Sequence, residues 1–184
     1  MDINEPTLGI RFACGGEIEL EEVIQEYGVK LLRYATSILC SHHDAEDVMQ
    51  QIFLSAYQSR RNFDGRNLSA WLYKIAYNAC INHLKKRRRI FWGSLFDIRD
   101  EAINPFDEPD SDILGALNRL KISDRALVFG RVVNEQSYEE LSQILGKSSG
   151  VLRKQFLRAK KKLHKLMCNE NEFERGKKNE CKQT

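Results

Sequence analysis

Apolar residues recur along this chain at intervals of three and four, and almost nowhere do they alternate as they would in a strand. Val23, Ile24, Tyr27, Leu31, Leu32, Ala35 and Ile38 form one stripe and predict a helix over about 20–39. Ala45, Val48, Met49, Ile52, Phe53 and Ala56 predict a second, with Asp44 as its N-cap and Glu46 and Asp47 in the dipole-favoured first turn. Trp71, Leu72, Ile75, Ala76 and Ala79 pack a third, capped by Asn67 or Ser69. Between 93 and 112 the period fails: the run is acidic, and Pro105 and Pro109 restrict themselves and the residues before them. Periodicity then resumes from 113 to about 168. The expected fold is all-α: two small helical domains, 17–92 and 113–168, joined by a flexible acidic linker at 93–112. Residues 1–16 are expected to be loosely ordered and 169–184, rich in Asn, Glu and Lys, disordered.

The outward faces carry the chemistry. On the second helix Asp47, Gln50, Gln51, Leu54 and Gln58 form a row with little net charge and one leucine. It fits either a solvated face or a helix-docking surface, and amides beside an isolated leucine suit a partner better than water. On the third helix Lys74, Asn78, Asn82, Lys85 and Arg89 follow each other at three and four residues, with Lys86, Arg87 and Arg88 adjoining. Cations there would hold phosphates and the amides could read base edges. Phe63 in the turn Phe63, Asp64, Gly65, Arg66, Asn67 is the stacking candidate for unpaired bases, with Tyr73 and Tyr77 nearby; Trp71 is assigned to the core.

Ser137 and Glu140 make a capping box ahead of Leu141, Ile144 and Leu145, and Gly146 suits the left-handed position past a helix end. After a turn through Ser148, a second helix turns Leu152, Phe156, Ala159, Leu163 and Leu166 inward. Tyr138 to Leu157 therefore reads as a helix-turn-helix, or more plainly as a helical hairpin with a basic face. In the first reading Ser148, Ser149, Arg153, Lys154, Gln155, Arg158 and Lys161 face the major groove.

The net charge of only +3 hides a strong polarity along the chain: no acid occurs from Leu141 to Asn169, while 97–112 is almost purely acidic. Two separated cationic blocks suggest one extended polyanion contacted twice. The five cysteines are odd in number and scattered, which argues for reduced thiols rather than a disulfide framework. Cys40, His42 and His43 lack a second Cys/His cluster to close a tetrahedron, so no metal is expected. No nucleophile elbow or scaffolded carboxylate cluster is present, and neither a cofactor nor an enzymatic activity is expected. No stretch reaches the roughly eighteen apolar residues of a membrane span, and the acidic N-terminus is unlike a signal peptide, so a cytoplasmic location without membrane insertion is expected.

Residues 44–54, 71–78 and 82–87 resemble conserved region two of bacterial sigma factors, and 116–120, 137–141 and 158–163 resemble region four. Their order and short acidic linker are similar to the extracytoplasmic-function (ECF) group of the sigma-70 family. The resemblance implies a promoter-specificity subunit rather than a stand-alone helix-turn-helix regulator. It implies docking of the 47–58 face on the β′ clamp helices of core RNA polymerase, with a further contact to the β flap. It also implies capture and melting of the minus-ten element by 63–67 together with Asn78, Asn82 and Lys85, and duplex recognition of the minus-thirty-five element by the second helix of the C-terminal motif. An anti-sigma factor is a further implied partner. Lys121 stands where the family usually has proline, Leu157 replaces a frequent histidine, and Gly130 interrupts a helix at a cost of about 1 kcal/mol relative to alanine.

Overall fold

A computed structural model describes residues 7–92 and 112–180, excepting the side chains of 88, 90–92, 112 and 169–180. Every regular element among the described residues is helical: α1 (Leu8–Cys14), α2 (Glu17–Leu39), α3 (His42–Ser59), a 3₁₀ turn (Arg60–Asn62), α4 (Leu68–Trp92), α5 (Asp112–Asn118), α6 (Ile122–Val132), α7 (Tyr138–Leu145) and α8 (Ser149–Glu180). Of the expected linker at 93–112, residues 93–111 lie outside the described residues, and Asp112 is the first residue of α5.

Helices α2, α3 and α4 bury the predicted stripes around Leu31, Ala35, Ile38, Val48, Ile52, Leu72 and Ala76. Three local expectations change. Residues 8–14 are a helix whose Phe12 is fully buried and meets Trp71 edge-on at 6.3 Å. Seven residues are too few to show a period, so tertiary packing supplies the signal that the sequence lacks. The N-cap of α3 is Ser41, whose hydroxyl accepts the Asp44 N–H at 3.2 Å; Asp44 sits one turn in and turns toward α4. Helix α8 continues to Glu180 through the polar tail expected to be disordered. Once a helix is nucleated, each added residue gains a backbone hydrogen bond, which lets extension proceed without an apolar face.

In the C-terminal region the capping box forms as expected: Glu140 N–H donates to Ser137 Oγ at 3.1 Å and Ser137 N–H donates to Glu140 Oε2 at 2.8 Å. Gly146 closes α7 at φ 66°. Gly130 has a packing reason, because a Cβ there would lie 2.6 Å from Gln136 Oε1 and 2.7 Å from Leu141 Cδ2. The helix-propensity cost is the condition for α6 to approach α7. Lys121 holds φ at −63°, the angle that proline's ring would impose, so its replacement of proline leaves the start of α6 unchanged.

The two helical regions also share a core. Tyr34 of α2 is fully buried between Tyr73 of α4, edge-on at 4.9 Å, and Phe129 of α6 at 5.9 Å. Arg125 of α6 is buried as well. Its guanidinium donates to the Ile38 carbonyl at 2.6 Å, the Asn118 carbonyl at 2.8 Å and the Leu120 carbonyl at 3.2 Å. The first two carbonyls lie in the last turns of α2 and α5, where the helix dipoles are negative. At the same joint Cys40, left-handed at φ 55° past the end of α2, packs with Leu117 and Leu120, bordered by Leu114, Leu163 and Leu166.

Candidate nucleic-acid interface

The expected docking row is open. Asp47, Gln50, Gln51, Leu54 and Gln58 are all exposed along α3, Leu54 by 47%, and Gln51 Nε2 donates along the helix to Ser55 Oγ at 3.0 Å. An apolar side chain half in water beside neutral amides is inexpensive to desolvate against another helix.

The turn before α4 is built by Asn67. It adopts φ 43°, its Oδ1 accepts the Ala70 N–H at 3.0 Å, and it thereby caps the helix as expected. Asp64 Oδ1 accepts the Arg66 N–H at 3.0 Å, an Asx turn. Gly65 is buried at φ 78° with α1 against it, since a Cβ would lie 3.1 Å from Ile10 Cγ1. Asp64, Arg66 and Asn67 project outward.

Phe63 does not. It is 7% exposed and stacks on Trp71 with centroids 4.7 Å apart and planes at 27°, so it forms the base of the turn instead of standing ready for a base. Trp71, assigned to the core, is the more exposed ring of the pair. A phenyl ring has no polar edge to keep in water, whereas an indole can leave its N–H there, and this reverses the sequence assignment. Tyr73 is buried too.

Along α4, Lys74, Asn78, Asn82, Lys86 and Arg89 are exposed and Lys85 is half-exposed. Arg87 is engaged: its guanidinium pairs with Asp44 Oδ2, while His83 Nε2 lies 3.2 Å from Asp44 Oδ1. Expected as a phosphate contact, Arg87 instead ties α4 to α3, because Asp44 is not consumed as a cap. The side chain of Arg88 lies outside the described residues.

On α8, Arg153, Lys154, Arg158 and Lys161 are exposed, as is Ser148 in the turn. Arg153 extends across the Tyr138 ring, 5.3 Å from its centroid, and lies 3.9 Å from Glu139 Oε1. Ser149 Oγ donates to the Tyr138 carbonyl at 3.2 Å, which fixes the start of α8 against α7.

Gln155 is a correction. It is 9% exposed, and its Nε2 donates to Asp124 Oδ1 at 2.7 Å and Ser123 Oγ at 3.1 Å. Its Oε1 accepts from Lys147 Nζ at 3.2 Å. It fixes the rotation of α8 against α6 rather than reading a groove. Helical spacing placed it one position from the exposed face, and its Nε2 finds acceptors 31 and 32 residues away in the sequence. The same network reveals a basic groove of about 420 Å³ whose lining includes Lys121, Lys147, Arg158 and Lys162. The first two stand in different loops, so no single run of sequence signalled it.

No group of three or more His, Cys, Asp or Glu side chains able to hold a metal occurs among the described residues, and Cys40 lies in the apolar joint. No helix among the described residues is long and apolar enough to cross a membrane.

An all-helical chain with an exposed row of lysines and amides on α4 and a capped helix-turn-helix ending in a cationic helix is the architecture of a two-region promoter-recognition subunit. Residues 14–90 match the sigma-70 region 2 family and residues 111–163 match sigma-70 region 4. The chain belongs to the extracytoplasmic-function group of the sigma-70 family. Among its relatives, the ECF RNA polymerase sigma factor SigM of Bacillus subtilis is 26% identical over 80% of this chain and 94% of its own. The ECF RNA polymerase sigma factor SigE of Mycolicibacterium smegmatis is 26% identical over 78% of this chain, a match spanning 59% of that longer protein. Of solved structures, the sigma factor RpoE of Bartonella quintana in complex with the anti-sigma factor NepR superposes with a TM-score of 0.64 at 26% identity, over 80% of this chain and 97% of that one. CnrH in complex with the cytosolic domain of CnrY has the same fold, with a TM-score of 0.67 at 22% identity over 88% and 96%.

Proposed function

We propose that this chain binds core RNA polymerase in the bacterial cytoplasm and directs promoter-specific initiation, without catalytic activity of its own. The observation that carries the reading is the pair of exposed cationic faces, one on α4 of region 2 and one on α8 of region 4. Lys74, Asn78, Asn82, Lys85 and Lys86, with Asp64, Arg66 and Asn67 of the preceding turn, contact the minus-ten element and the strand melted from it. Arg153, Lys154, Arg158 and Lys161 contact the minus-thirty-five duplex. The two contacts differ in kind and complement each other: a phosphate grip with amides suits an opening strand, and a rigid helix suits an intact major groove.

The α3 row docks on the β′ clamp helices, and region 4 meets the β flap. An anti-sigma factor is the remaining partner, a reading supported by the two solved relatives, both of which are complexes.

Run-off transcription with purified core polymerase tests the reading. The chain is expected to direct initiation from a subset of promoters, and Arg153→Ala with Arg158→Ala to abolish it while core binding persists. Loss of core binding in that variant would show the regions to be wrongly assigned. Asp47→Lys with Gln50→Lys is expected to weaken core binding at least tenfold, at about 1.4 kcal/mol per decade; unchanged affinity removes the α3 docking face. Footprint protection by the chain without polymerase would point instead to a stand-alone regulator.

A further inference from the structure

Where α2, α4 and α6 meet, the chain encloses a cavity whose chemistry promoter contact leaves unused. It measures about 340 Å³, toward the lower end of the roughly 300–1,000 Å³ typical of small-molecule sites. Each helix contributes a ring to its wall: Tyr27 of α2, Tyr73 of α4 and Phe129 of α6. Lys30 and Arg33 of α2 line it as well, and no acid is among its described lining residues. Lys30 is exposed and Arg33 half-buried, so the positive charge sits toward the mouth.

The turn between α6 and α7 adds unpaired polarity. Gln136 lines the cavity, is only 5% exposed, and has no hydrogen-bond partner among the described residues for either Nε2 or Oε1. Turning the amide over exchanges the two atoms and pairs neither. Nδ2 of Asn134, also on the lining, is buried without a partner too. The backbone of Gln136 is fully used, by contrast: its N–H donates to the Gly130 carbonyl at 2.9 Å and its carbonyl accepts from Arg131. The residue is therefore held in place while its side chain lacks what it needs. Native interiors leave few buried amides in that state, and each costs stability until a partner supplies the missing bonds.

Together these features select a ligand. A carboxamide sets a donor beside an acceptor, the pair that matches the edge of a nucleobase. Aromatic walls suit the flat face of the base. A lysine and an arginine with no acid beside them suit a phosphate.

We infer that this cavity is a binding site for a mononucleotide, with Gln136 meeting the base edge among the three rings and Lys30 and Arg33 holding the phosphate. The carboxamide reaches the base by turning out of the space that Gly130, lacking a Cβ, leaves for Oε1. None of the lining residues belongs to the cationic rows of α4 and α8, so the site is separate from promoter contact.

Equilibrium dialysis of the full chain against AMP, GMP, CMP and UMP tests it, with inorganic phosphate as the competing anion. At least one nucleotide is expected to bind saturably with a Kd of about 1 mM or tighter. Inorganic phosphate should compete at least about tenfold more weakly than that nucleotide. Gln136→Leu exchanges an unpaired amide for an apolar side chain, so it is expected to keep the fold while weakening the nucleotide about tenfold. Lys30→Ala with Arg33→Ala, at the mouth, is expected to weaken it about as much, and decides alone if Gln136→Leu does not fold. Arg153→Ala with Arg158→Ala should leave the affinity unchanged. No saturable binding of any of the four up to about 10 mM overturns the proposal. So does inorganic phosphate that competes equally well, full affinity in either folded cavity variant, or affinity lost in the Arg153 and Arg158 variant, which would place the nucleotide on α8.

Discussion

Region 2 and region 4 both present a cationic helix, but they hold it differently. In region 4 that helix is fixed by polar groups: the Ser137–Glu140 box starts α7, Ser149 ties α8 to Tyr138, and Gln155 joins α8 to Ser123, Asp124 and Lys147. In region 2 the turn before α4 is fixed mainly by rings and backbone: Phe63 on Trp71, Gly65 against α1, and left-handed Asn67. Directional bonds set the rotation of a helix, as the proposed fit to a groove would need. Stacked rings set the position of a turn while leaving its polar tips exposed, as the proposed contact to an irregular strand would need.

Substitutions can break that contrast, beginning with the largest effect. Phe63→Ala is expected to destabilise the fold by about 3–5 kcal/mol, the range for removing a buried ring, and thermal unfolding measures it. A variant of unchanged stability that lost only minus-ten binding would return Phe63 to the surface. Next is Gln155→Ala, expected to cost about 1–3 kcal/mol by leaving Ser123 and Asp124 short of a partner, with promoter preference retained in run-off assays. A change of preferred minus-thirty-five sequence in that variant would make Gln155 a reader rather than a brace.

The smallest effect is pH-dependent. The Glu140 carboxyl is held below its ordinary value of 4.5, first by the Ser137 N–H, so the unfolded chain binds that proton more readily than the folded one. The contribution is fully present above about 4.5 and is lost as the pH falls through the lower folded value. Glu140→Gln should therefore lower the melting temperature slightly at pH 6 and make its decline between pH 5 and pH 3 shallower, by about what one capping interaction contributes, ~1 kcal/mol. An identical decline in both proteins would remove the capping carboxylate from the acid response.

Much of this was legible in the sequence. The stripes of α2, α3 and α4, the capping box and Gly146 follow from spacing and residue type alone, and so do the exposed row of α3 and, apart from the buried Gln155, that of α8. What escaped depended on partners distant along the chain. Arg87 counted as a phosphate ligand until Asp44, across the α3–α4 contact, claimed it. Phe63 and Trp71 exchange expected roles because a seven-residue helix covers the turn. Arg125 carried no signal at all, since a lone arginine among apolar residues gives no hint of carbonyls at the ends of two other helices.

The joint also contains its own chemical clock. Burial raises the Cys40 thiol to about 11, partly offset by neighbouring Arg125, so at neutral pH the sulfur is almost wholly protonated and shielded by leucines from α5 and α8. Alkylating reagents consume thiolate, and they can reach this one only in the moments when those helices lift away. The rate at which Cys40 is modified therefore counts openings of the joint directly, with no label added and no residue changed.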